Sequence, residues 1–398
     1  MYDLLKGLTV VEGAAFIAGP SCGLHLAQMG ARVIRFDQIG GGPDSGRWPR
    51  AENGASLYWE GLNKGKKSIA IDLARPEGRA LAQRIAVAGD GLFVTNFPAD
   101  GFLSYERLAA LRSNLVCLRV MGWADGTPAV DYTINAAVGV PMMTGPADDP
   151  RPVNHVLPAW DLLAGAYGAF ALLAAERERR ESGKGREVRL ALSDLAAASL
   201  GHLGQIAETI ASGDRPRSGN DLFGAFGRDF ETRDGQRLMI VAITPRQWTG
   251  LVEVLGIGET VASLEGRTAT SFANDEGARF RHRDALTPIV AAAVVARDTA
   301  DLAAAFDAAG VCWSTYRTLG GALSEEPRLF AENPVFAPVA HPGGTYLTPG
   351  AAARLPGEVA HASGPAPQIG ADTDEVLADL LRLNSGEIAR LHDAGLVA

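Results

Sequence analysis

The sequence predicts an α/β fold, with a large Rossmann-like domain built on a parallel-rich sheet and a smaller α+β domain. Three observations carry that prediction. Short β-branched runs alternate with helix-patterned segments through the first half of the chain, the pattern of a parallel sheet covered on both faces. Near residue 215 the alternation gives way to a Gly-rich polar passage, RPRSGNDLFGAFGRDFETRDGQ, which sets a domain boundary there. A chain of 398 residues with 47% hydrophobic side chains can also bury more than one core.

The elements follow in order. LTVVEGA at 8–14 is a strand, PSCGLHLAQMGA a helix and RVIRFDQ at 32–38 a second strand, which together make a βαβ unit. SIAIDL at 68–73, a helix over PEGRALAQRIAVAG, DGLFVTNF at 90–97, a helix over YERLAALR and NLVCLRVMGW at 114–123 continue the alternation. Residues 157–175, LPAWDLLAGAYGAFALLAA, open a helix that runs to about Glu181; Gly183 terminates it, and the arginines of ERERR suit its negative end. Its early Gly and Ala residues point to close helix packing. REVRLALSD supplies the next strand. Past the boundary come the strand RLMIVAI, two alanine-rich helices over 285–308 and a Pro/Gly-punctuated stretch, ENPVFAPVAHPGGTYLTPG. The tail reads as two short amphipathic helices that turn at Asn384 to Gly386.

Composition excludes several classes. A formal charge of −9 argues against a nucleic-acid partner. No apolar segment approaches a membrane span, and the N-terminus lacks the basic start of a signal peptide, so a cytoplasmic protein with no membrane partner is expected. Cys22, Cys117 and Cys312 are widely spaced in apolar surroundings and read as reduced core thiols. The histidines, His25, His155, His202 and His282 among them, lack ligand spacing, so no metal is expected. EGAAFIAGPSCG is not G-x-G-x-x-G, GLNKGKKS lacks the spacing of a phosphate loop, and no G-x-S-x-G appears.

One residue stands out. Asp161 is a carboxylate at the mouth of an otherwise apolar helix, and it reads either as that helix's cap or as a reactive group. The local sequence alone leaves both open.

Taken together, LKGLTVVEGAAFIAGPSCGLHLAQMGARVIRFD, LNKGKKSIAIDL, TNF at 95–97 and PAWDLLAGAYGAFALLAAERERRESGKGREVRLAL resemble the family III (CaiB/BaiF-type) coenzyme A transferases. They match that family's AGP turn, its N-K-x-S strand, its E-N-F turn and a D-x-x-x-G helix followed by R-x-x-T-G-x-G. The resemblance extends to the GADTDEVL tail. It implies that Asp161 is the family's nucleophile, which a helix N-terminus would help keep ionised. It also implies an acyl-CoA substrate that brings coenzyme A with it, no prosthetic group, an interlocked ring-shaped homodimer, and residues 331–398 returning to the large domain after a small domain over 216–330.

By the same resemblance Ile17, Ala18, Asn96 and Phe97 line the coenzyme A site, with Arg35, Lys66 and Lys67 as phosphate contacts. Racemases of the family use a histidine just ahead of an Asp in the loop matching AVDYTINAA; Val130 precedes Asp131 here, so that base is missing. Segments such as VDYTINAAVGVPMMTGP, VNHVLPAWD and GNDLFGAFGRDFETRDG resemble the branch of mesaconyl-CoA C1–C4 transferases, which move CoA between the two carboxyls of one dicarboxylate. Arg228, assisted by His155, is the candidate for holding the free carboxylate; the other reading of Arg228 is a surface arginine paired with Asp229 or Glu231. The alternative reaction is an intermolecular transfer from a donor such as succinyl-CoA.

Overall fold

The computed structural model describes residues 1–398 and divides into two compact units. The first comprises Met1–Val138, His155–Ile210 and Pro327–Ala398; the second comprises Gly139–Asn154 and Ala211–Glu326. The excursion of residues 139–154 into the second unit has no counterpart in the sequence reading.

The first unit is built on six strands: β1 (Thr9–Gly13), β2 (Arg32–Gln38), β3 (Lys67–Ile71), β4 (Leu92–Thr95), β5 (Val116–Met121) and β6 (Arg186–Ala191). Their order is β3-β2-β1-β4-β5-β6 and every neighbouring pair is parallel, as the alternating pattern predicted. Helices α1 (Ala18–Gln28), α2 (Leu57–Asn63), α3 (Pro76–Ala86), α4 (Tyr105–Leu111) and α5 (Asp131–Ala137) connect these strands or follow β5. α6 (Val140–Met143) lies in the second unit, and α7 (Ala159–Ser182), α8 (Leu192–His202) and α9 (Gln205–Ser212) follow.

α7 packs on α1 through its small residues. A Cβ at Gly165 would collide with Ser21 Oγ, and one at Gly168 would come within 2.9 Å of Leu118 Cδ2. The Gly/Ala stripe is therefore a packing requirement that lets the helix axis approach both α1 and the sheet. Gly183, at a left-handed φ of 70°, stops the helix.

Beneath α1 the sheet contains a buried charge network. Lys66 Nζ donates to Glu12 Oε2 at 2.8 Å and to Asn63 Oδ1 at 2.9 Å. Arg35 forks onto Asp37 at 2.8 and 2.9 Å and reaches Asp44 at 2.9 Å. All five charged residues are at most 6% exposed.

The last segment returns to β3. Asp372 accepts from the Ser68 N–H and from Lys67 Nζ, and the Asp72 N–H donates to Leu396 O. Val376, Leu377, Ile388 and Val397 join the core under β1 to β4.

The second unit holds an antiparallel sheet of β7 (Phe226–Glu231), β8 (Arg237–Ala242) and β9 (Cys312–Thr315), packed by helices around Phe226, Trp248, Phe272 and Phe306. Cys22 and Cys117 are buried, but Cys312 is exposed, which corrects its reading as a core thiol. Its strand is a short edge strand, so alternate residues face outward.

Candidate active site

In open parallel sheets, ligands bind beyond the carboxyl ends of the strands where the strand order reverses. Here that point lies between β1 and β4, and a cavity of about 610 Å³ opens there. Its walls are the segments following β1 (Ala15 to Ala18), β4 (Asn96 to Asp100) and β5 (Gly122 to Val130), with Asp161 and Leu192. The wall after β1 is held tightly. Phe16 adopts a left-handed φ of 71°, uncommon for a bulky side chain, and its N–H donates to Asp44 Oδ2 at 3.0 Å. Asn96 grips Ala15 twice, accepting from its N–H at 3.1 Å and donating to its carbonyl at 2.9 Å.

Asp161 is not the cap of its helix. α7 begins at Ala159 with Pro158 in the capping position, and proline offers no side-chain acceptor. The acceptor comes from Asp131 at the start of α5. Its Oδ2 takes the Trp160 N–H at 2.7 Å and the Asp161 N–H at 3.1 Å, while its Oδ1 lies 2.7 Å from His155 Nε2. No donor in the chain reaches the Asp161 carboxylate. Burial first, and the Asp131 charge second, push its pKa up to about 7. This reverses the expectation that the helix terminus would hold Asp161 ionised: the terminal N–H groups serve Asp131, whose charge opposes a second anion beside it. The product is a partly desolvated carboxylate of raised basicity facing a cavity, a combination suited to covalent attack.

The profile of CoA-transferase family III matches residues 5–373. The chain belongs to that family. A 2-methylfumaryl-CoA isomerase of Chloroflexus aurantiacus is 47% identical across the whole chain and 98% of its own length. The succinyl-CoA–D-citramalate CoA-transferase of the same organism is 30% identical over 97% of the chain and 96% of its own length. Among solved structures, a CAIB/BAIF family protein from Brucella suis shares 26% identity with a TM-score of 0.77, covering 94% of the chain and 98% of that protein.

Among the residues singled out by resemblance to this transferase family, Ile17, Ala18, Asn96 and Phe97 line the same cavity as Asp161. The cations do not join them. Arg35 and Lys66 are buried and bonded to Glu12, Asp37 and Asp44, and Lys67 pairs with Asp372 and Glu375. Their charges tie the sheet and the returning tail together, and none of the three lines the cavity. Arg228, on β7 of the second unit, pairs with Asp221 at 3.4 Å; Asp229 and Glu231, its expected partners, bond Arg237 instead. His155 is held by Asp131 and stands edge-on to Tyr132, with ring centroids 5.6 Å apart.

Two residues of the site escaped the sequence reading. Arg119 is fully buried in β5 and donates to Phe97 O at 2.7 Å, Leu103 O at 2.8 Å and Glu187 Oε1 at 2.7 Å, which shapes the wall after β4. Its signal was an arginine amid an apolar strand, VCLRVM. The second is Asp131 as the surrogate cap; the signal was a helix opened by Pro158, which needs an acceptor from elsewhere.

Proposed function

We propose that the protein is an intramolecular CoA transferase that moves CoA between the C1 and C4 carboxyls of mesaconyl-CoA, the 2-methylfumaryl thioester. The observation that carries this reading is the unpartnered Asp161 carboxylate in the switch-point cavity, in a chain 47% identical over its full length to a 2-methylfumaryl-CoA isomerase. Phe16, Ile17, Phe97 and Met121 give that cavity an apolar lining suited to the uncharged pantetheine arm.

The chemistry proceeds in balanced steps. The Asp161 carboxylate attacks the C1 thioester carbonyl, the C–S bond breaks, and CoA leaves as the thiolate, giving a mixed anhydride. The thiolate attacks the aspartyl carbonyl of that anhydride and expels mesaconate, leaving CoA as a thioester on Asp161. The retained mesaconate turns, and its C4 carboxylate attacks the aspartyl thioester, again releasing thiolate and forming an anhydride. Attack of the thiolate on the C4 carbonyl yields the product and regenerates Asp161. Retention matters because a held acceptor has a high effective concentration and outcompetes free acids.

Mesaconyl-C1-CoA supplied alone is expected to convert to the C4 thioester, with isotopically labelled free mesaconate scarcely entering the product. A requirement for free acid, or label incorporation at the turnover rate, would establish the intermolecular alternative. The likeness to a succinyl-CoA–D-citramalate CoA-transferase makes that the second reading.

The assembly proposed is a homodimer. α7 exposes Leu162, Leu163, Tyr167 and Phe170, the last 65% exposed, and the following helical segment exposes Leu203, Ile206 and Ile210. An apolar surface of this extent calls for a protein partner, and a second copy is the family's solution. Light scattering reads this directly, and a stable, active monomer would contradict it.

A further inference from the structure

A dicarboxylyl thioester carries one free carboxylate into the site, and a group must receive it. Arg228 pairs with Asp221, a carboxylate it shares with Arg283, and Arg35 and Lys66 are enclosed in the buried network. Arg47 differs from all three. No carboxylate pairs with its guanidinium, which lies 5.4 Å over the Phe16 ring and 5.3 Å over the Tyr58 ring. Phe16 is a wall of the Asp161 cavity, and the Asp44 bond to its strained backbone fixes where its ring stands. Asp44 is itself locked by Arg35, so the buried network ends on the residue that props Arg47.

Tyr58 adds a second, independent feature. Its hydroxyl is buried and has no hydrogen-bond partner. An unsatisfied buried donor is costly, and a ligand acceptor would recover that cost. The same hydroxyl sits in the field of both Arg47 and Asp161: burial mainly, with Asp44 and Asp161 adding and Arg47 opposing, pushes its pKa up to about 12. An unpaired cation and an unpaired donor thus stand together beside Phe16, which is itself a wall of the Asp161 cavity.

We propose that Arg47 and Tyr58 form the subsite for the substrate's free carboxylate, with Phe16 as the shelf that positions the guanidinium. A planar guanidinium can take either carboxylate of the dicarboxylate in turn, as an intramolecular transfer requires, and the phenol supplies a directional donor beside it. This assignment rests on the dicarboxylyl-CoA reading above and places its specificity on two residues no sequence motif marked.

The test compares two thioesters in one enzyme. Full-length protein is mixed with mesaconyl-C1-CoA or with 2-butenoyl-CoA, which lacks a free carboxylate, and hydroxylamine trapping at Asp161 is followed by peptide mass spectrometry. Because the result is a ratio of the two trapping efficiencies, any loss of folded enzyme cancels. In Arg47→Met the preference for the dicarboxylyl thioester should fall roughly 10- to 100-fold, the range for a charge-assisted hydrogen bond. Arg47→Lys should fall between, and Tyr58→Phe should lose less than Arg47→Met, mainly in KM. An unchanged ratio in Arg47→Met overturns the assignment. A wild type that labels Asp161 with both thioesters equally overturns the dicarboxylyl reading instead, and one that labels it with neither overturns the nucleophile.

Discussion

Two clusters of buried charge in the first unit are built on opposite terms. In the network under α1, Glu12, Lys66, Arg35, Asp37 and Asp44 satisfy one another within hydrogen-bond distance, and Asn63 and the Pro20 carbonyl take up remaining donors. At the start of α7, Asp131 collects two N–H groups and His155, while Asp161, beside it, has no donor at all. Burial costs both clusters the same kind of desolvation free energy. In the first, burial raises the pKa of Glu12 and lowers that of Lys66, but each charge has an opposite partner within hydrogen-bond distance and the group becomes scaffold. In the second, burial and the neighbouring Asp131 raise the pKa of Asp161 with no cation opposing them, and substrate chemistry relieves that cost.

That contrast can be broken from the scaffold side, where the largest effect on stability is expected. Lys66→Met removes the cation bonded to buried Glu12 and leaves only Arg35, 3.6 Å away, and a loss of about 3–5 kcal/mol follows from breaking a buried pair on one side. Denaturant unfolding measures it, and a loss below about 1 kcal/mol would show that the network is not the anchor described. Double replacement of Glu12 and Lys66 by apolar residues should recover much of the loss.

The contrast sharpens from the site side with a smaller effect. Asp161 must be ionised to attack, so kcat/KM should rise with pH through a midpoint near 7, the raised value of its carboxyl. The groups facing Asp161 are Asp131, which bears His155 on its other oxygen, and the Tyr58 hydroxyl. Asp131→Asn keeps an amide oxygen for the Trp160 and Asp161 N–H groups but removes the charge. With the repulsion gone the midpoint should fall by about one pH unit, so the variant retains activity under more acidic conditions than the wild type. The pH–rate profile checks this, and an unmoved acid limb would remove Asp131 from the account.

How much of this was legible in the sequence follows from how local each signal is. Strand β2 is RVIRFDQ in both readings, because the residues of a parallel strand covered on both faces announce themselves by composition. The close packing of α7 was visible in its glycines and alanines, and its end at Gly183 in a single residue. Partnerships across the chain were not visible. Lys66 finds Glu12 at a separation of 54 residues, and Asp131 reaches Asp161 across 30, so basic residues beside a turn looked like phosphate ligands and a carboxylate near a helix start looked like its cap. Local propensity says where a helix can begin; only the fold says which distant acceptor caps it. The free cation was hidden for the same reason: sequence does not show that Arg35 is buried among carboxylates while Arg47 lies in an exposed loop with none paired to it.

The central claim is that Asp161 carries CoA covalently during turnover. The direct measurement is borohydride treatment of the enzyme during turnover of mesaconyl-C1-CoA, followed by peptide mass spectrometry of the α7 segment. A thioester on Asp161 is reduced to the alcohol, so the account predicts a homoserine mass at position 161 that appears only with substrate and vanishes in Asp161→Ala, whose turnover is also lost. An unmodified Asp161 peptide under full turnover, or an Asp161→Ala variant that keeps more than roughly a few per cent of the activity, would contradict it.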